Sequence, residues 1–128
     1  MASTSRIDNE KKILYGYPQN QFLTEETVNN TAQLVRQITS SINCKEYALL
    51  IDATEMGVFE QKALKLLERT WEMFMDAGFR RIVFVKPKNT IQNMQIQKML
   101  KSMPNFKVDL VDTLEEAENL CKVGATGK

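Results

Sequence analysis

Few side chains in this sequence can do chemistry, and their spacing limits what that chemistry could be. Asp52 closes the apolar run Tyr47-Ala48-Leu49-Leu50-Ile51, and Thr54 follows two residues later. An acid at the carboxyl end of a buried strand stands where open α/β sheets place their ligands. The same carboxylate could instead cap the next turn by accepting from backbone amides near Glu55 and Met56, with Thr54 making a local backbone bond. Lys86 and Lys88 follow a second apolar run, Ile82-Val83-Phe84-Val85, and lead into Asn89 and Thr90. Two lysines beside the first amides of a helix could cradle an anion.

Most catalytic classes are missing their reagents. The chain has no histidine, which removes Ser-His-Asp and Cys-His systems, His-ligated metals and imidazole acid–base chemistry. Glu25 with Glu26, and Glu115 with Glu116, fall in first helical turns, where they serve the dipole and have no partner to split their pKa values. The five glycines are scattered and form no phosphate loop. Cys44 and Cys121 match no zinc, redox or disulfide-scaffold spacing and read as reduced, buried thiols. A receiver domain would explain a strand-end Asp52, but it needs an acidic pair after its first strand, and Tyr15-Gly16-Tyr17-Pro18 offers none. Only one strand separates Asp52 from Lys86, where that fold needs two. The expectation is a non-enzyme with no catalytic residues, no metal and no cofactor.

Charge is balanced overall but not along the chain. Seventeen basic and 16 acidic side chains leave a net charge of +1, which argues against a globally basic nucleic-acid binder. From Gly78 to Val108 there are seven basic residues (Arg80, Arg81, Lys86, Lys88, Lys98, Lys101, Lys107) and no acid. From Asp109 to Glu118 the pattern inverts, with Asp109, Asp112, Glu115, Glu116 and Glu118 and no base. This is either a solvated rim balanced by acids nearby in space or a surface for a phosphate, lipid headgroup or acidic protein. Interleaved aromatics for base stacking are absent. Met94, Met99 and Met103, with Met73 and Met75, read as core fillers or as an adaptable interaction surface. Met94 and Met99 cannot share one narrow stripe with Ile96 and Leu100, so that helix carries apolar residues around much of its circumference.

The elements that must position these residues are legible in the patterning. At 128 residues, 43% hydrophobic and 26% charged, the chain has the size of one domain, 1–128, with a core over about 5–122 and frayed termini. Two short strands around Ser5–Asp8 and Ile13–Tyr17 join through a polar turn near Asn9. Thr24 caps a helix to about Ser40, with Leu23 and Val28 placed as a hydrophobic staple. The unbroken run ending at Asp52 suits a strand covered on both faces. A helix then runs from about Phe59 to Ala77 and ends at Gly78. Ile82–Val85 repeats the buried-strand pattern, and Asn89 with Gln92 opens a helix to about Ser102. Phe106–Val111 alternates, as a strand at or near an edge would, and Thr113 with Glu116 opens a last short helix. The order ββαβαβαβα predicts an α/β fold with a mixed, mostly parallel sheet of about five strands covered by helices. No apolar run approaches the roughly 20 residues of a membrane-spanning helix. The amino terminus does not read as a secretory signal, so the cytoplasm is the expected location.

This element order, with Leu49-Leu50-Ile51-Asp52-Ala53-Thr54 opening a turn into a long helix, resembles the STAS domain. That family spans bacterial anti-sigma-factor antagonists and the cytoplasmic ends of sulphate transporters. Short stand-alone members share the strand–Asp-Ala-[Ser/Thr] segment, a helix ending Gly-Phe-[basic]-[basic] and a strand like Ile82–Val85. The resemblance implies a regulatory, protein-binding module that docks on a partner protein or on itself as a homodimer. The implied contact residues are Asp52, Thr54, Val58, Phe59 and Lys62. In antagonist members a hydroxyl at the following helix start is phosphorylated, but here that loop falls on Glu60-Gln61-Lys62-Ala63 and carries none. The alternative expectation is a domain binding a small anion, a nucleotide or lipid headgroup, through Lys86, Lys88, Asn89 and Thr90.

Overall fold

The computed structural model describes residues 4–18, 22–60 and 62–122. Five strands form the main sheet: β1 (Thr4–Asp8), β2 (Ile13–Tyr17), β4 (Ala48–Asp52), β6 (Arg81–Val85) and β7 (Asp109–Val111), in the order β1-β2-β4-β6-β7. Only the β1–β2 hairpin is antiparallel; the other pairings are parallel. A separate parallel pair joins β3 (Phe22–Leu23) to β5 (Val58–Phe59). Among the described residues four α-helices complete the fold: α1 (Glu25–Thr39), α2 (Ala63–Ala77), α3 (Thr90–Lys101) and α4 (Leu114–Cys121). The α/β class and the mostly parallel sheet are those the patterning predicts.

Strand periodicity divides the sheet into two cores. Leu14, Leu49, Ile82 and Phe84 face α1, α2 and α3, packing with Val35, Ile38, Trp71, Phe74, Ile96 and Met99. Their sequence neighbours Ile13, Tyr15, Ala48, Leu50, Val83 and Val85 face the opposite way, onto Ala117 and Cys121 of α4. Each β-α-β crossover adds its strand on the same side of the last, so a common handedness brings α1 to α3 onto one face. Only α4, which follows the final strand, is free to fold across the back. β4 and β6 are therefore covered on both sides, which is why their sequences show no alternation.

Local chemistry sets the boundaries. Asp8 Oδ1 accepts from the amides of Glu10 and Lys11 at 3.0 and 2.9 Å, closing the hairpin turn. Thr24 caps α1 through the amide of Thr27 at 3.2 Å, and the Thr27 hydroxyl oxygen accepts from the Thr24 amide at 2.9 Å. The Leu23 half of the expected staple lies outside the described side chains. Gly78 ends α2 at φ 81°, a left-handed geometry that costs other residues strain.

Two boundaries differ from the sequence reading. α2 begins at Ala63 instead of near Phe59, because Val58 and Phe59 are drawn into backbone pairing with Phe22 and Leu23. β7 begins at Asp109 instead of Phe106. Phe106 is buried against Trp71, stacked at 5.8 Å, and lies edge-on to Phe84 at 6.2 Å. Burying that ring pulls the chain out of the ladder and ties the α3–β7 connection to the front core.

Candidate functional site

Parallel strands deliver their carboxyl ends, and the helix starts that follow, to one edge of the sheet. Asp52 ends β4 directly beside Val85 of β6. The amide of Ala53 donates to Val85 O at 3.1 Å, and the amide of Lys88 donates to Thr54 O at 3.3 Å. The two candidate clusters, Asp52 with Thr54 and Lys86 to Thr90, thus occupy one continuous edge. Lys62, exposed at the start of α2, follows the loop that leaves β4. The side chains of Val58 and Phe59 lie outside the described residues.

The polar groups on this edge are mostly committed to each other. Asp52 Oδ1 accepts from the Thr54 amide at 3.2 Å and from the Thr54 hydroxyl at 2.7 Å. The carboxylate does cap the turn, but through Thr54 and not through Glu55 or Met56. The Met56 amide donates to Ala53 O at 3.1 Å instead. An aspartate side chain reaches two residues ahead most easily, so the nearer amide wins. Lys86 Nζ lies 3.2 Å from Asp112, and Lys88 Nζ lies 3.7 Å from Glu55. Asn89 Oδ1 accepts from the amides of Ile91 and Gln92 at 2.8 and 3.3 Å. Those are the donors an anion would need, and the helix supplies its own acceptor for them. Thr90 is exposed as the first residue of α3.

The sequence reading offered a rim balanced by acids nearby in space without pairing them; the structure pairs Lys86 with Asp112 and Lys88 with Glu55. The sequence reading also left Ile91 unnoticed. Ile91 is 68% exposed and Met94 66% exposed, the most exposed large hydrophobic side chains described. They lie three residues apart on α3 and so share one outward face. The signal was present: both fall off the inward stripe of Gln92, Ile96 and Met99. That face continues through Lys98 and Lys101, which are exposed and carry no ion pair among the described residues.

Other predicted surface charges proved structural. Arg81 forms a salt bridge with Asp109 at 2.8 Å. Arg80 Nε donates to Glu46 O at 3.1 Å, and one of its terminal nitrogens donates to Lys12 O at 3.2 Å and Cys121 O at 2.6 Å. It joins three segments at the amino edge of the sheet. Both cysteines are buried and free, and burial raises both thiols, Cys121 to about 11. No group of metal-binding side chains occurs among the described residues. No known protein-family model matches the chain, and no curated protein matches it.

Proposed function

We propose that this chain is a STAS-like, non-catalytic regulatory module of a bacterial cytoplasm, docking on a partner protein through the carboxyl edge of its sheet. The observation that carries this reading is the exposed pair Ile91 and Met94 at the start of α3, on the edge that also holds Asp52, Thr54 and Lys62. Large apolar side chains grouped on one helix face are unfavourably hydrated in water, and burying them in an interface lowers the free energy. The outward face of α3 continues into Lys98 and Lys101, and no acid occurs between Gly78 and Val108. The partner that suits it presents an apolar pocket rimmed by carboxylates. The order of elements, with an antiparallel hairpin beside parallel strands, supports the STAS likeness. Binding of a small anion at Lys86 to Thr90 is less well supported, because the ligand would displace Asp112, Glu55 and the Asn89 cap.

Lys62 adds a second probe. A cation at the start of α2, whose first turn contains no acid, opposes the helix dipole. Lys62→Glu should therefore raise stability by about 0.5 kcal/mol while weakening association. Ile91→Glu with Met94→Glu should abolish association and leave stability within about 0.5 kcal/mol, since both side chains are exposed. Co-purification from the native host, sedimentation of the purified chain and thermal unfolding read these effects. Association unchanged in both variants would overturn the docking edge.

A further inference from the structure

A cavity of about 80 Å³ lies in the front core, between the sheet and helices α1 and α2. Its existence follows from side-chain size. The inward face of α1 presents Val28, Thr31 and Val35 to it, α2 contributes Thr70, and the floor includes Gly16 of β2. None of these is large enough to reach across, and the larger lining side chains, Leu34, Trp71 and Phe74 among them, border the space without filling it. Gly16 cannot be the remedy, because a Cβ there would stand 2.9 Å from Ile51 Cδ1.

The lining decides what could occupy it. Among the described residues, no charged side chain borders the cavity. Its hydroxyls are bonded elsewhere or lie at its rim: Thr31 donates to Thr27 O at 3.0 Å, Thr70 to Leu66 O at 2.9 Å and Tyr15 to Glu118 at 2.6 Å, Tyr17 accepts from Arg6 at 3.5 Å, and Ser5 is exposed. Water needs two or more polar partners to reside in such a space, and of the described lining hydroxyls those of Thr31, Thr70 and Tyr15 are already committed. A carboxylate would lose its hydration without a compensating donor. An apolar cavity of about 150 Å³ holds a benzene ring, so the smaller volume here suits xenon or a short alkyl chain.

We infer that this cavity is a binding site for a small uncharged apolar ligand, the short alkyl part of a neutral molecule. The cavity borders the carboxyl edge at Ala53 and Met56, but its occupant would contact none of the exposed α3 residues Ile91 and Met94, so each site can be tested without the other.

Titration of the methyl-labelled chain with n-propanol, sodium propanoate and dissolved xenon, followed by methyl NMR, tests the assignment. Propanol and xenon should give saturable shifts centred on Leu14, Val28, Val35, Ile38 and Ile51. Propanoate at neutral pH should bind at least about tenfold more weakly, reflecting the cost of burying its charge. Thr31→Leu and Val28→Leu fill the space and should abolish the propanol shifts while the rest of the methyl spectrum stays folded. Propanol and xenon leaving those methyls unmoved would overturn the site. So would unchanged binding in whichever filled variant folds, and propanoate binding as tightly as propanol would overturn the ligand class.

Discussion

Tyr15 shows how one buried polar atom ties two distant parts of the chain together. Its ring is fully buried, and its hydroxyl donates to Glu118 of α4 at 2.6 Å. The Arg6 guanidinium lies 3.9 Å from the ring centre on the other side. Burial, and then the bond to Glu118, push the phenol from 10.0 up to about 12. The folded state therefore keeps a proton that the unfolded chain releases near pH 10. This contribution is complete below that pH and declines as pH rises toward 12, by an amount on the order of 2 kcal/mol. Cys121 behaves likewise from pH 9 to about 11, again chiefly through burial. Tyr15→Phe should cost about 1 kcal/mol at neutral pH by deleting one hydrogen bond, and should flatten the upper part of the alkaline decline. Urea unfolding between pH 7 and 11.5 measures both effects (~ ranges set by these two groups). An equally steep decline in the variant would show that Tyr15 is not its source. The patterning placed Tyr15 in a strand, but only the packing of α4 revealed its partner.

At the scale of elements, the ends of strands and helices are held by single side chains that composition alone makes look interchangeable. Arg80 and Lys86 both read as members of one basic surface segment. Arg80 is instead a clamp whose fork of donors reaches carbonyls on the hairpin, on the turn before β4 and at the end of α4. A lysine has no such fork, so Arg80→Lys should lose about 2 kcal/mol as several half-buried carbonyls lose their donor. Differential scanning calorimetry checks this, and a variant as stable as the parent would reduce the clamp to a solvated charge. The helix caps were legible in advance, because Thr24, Asn89 and Thr113 act on amides two or three residues away. The start of α2 was not, because its boundary depends on backbone pairing between segments far apart in sequence.

For the whole molecule, the two-sided covering of β4 and β6 sets the order of stability. These strands have ladder partners on both sides and a core on both faces, so their amides should exchange only through global unfolding. β7 has three residues and a single ladder partner, and should exchange through local opening at rates at least about tenfold faster. Native-state hydrogen exchange distinguishes these regimes, and uniform protection across the sheet would contradict the layered account. The strands of the main sheet, its parallel centre and the absence of histidine chemistry were determined by the sequence itself, whereas the short β3–β5 pair was not. The former depend on periodicity, capping or composition, which act over a few residues. The aromatic anchor at Phe106, the Arg80 clamp, the lysine–carboxylate pairs, the exposed Ile91–Met94 face and the cavity beneath α1 were decided only by tertiary structure. Each is a relation between segments whose separation in space no local pattern encodes.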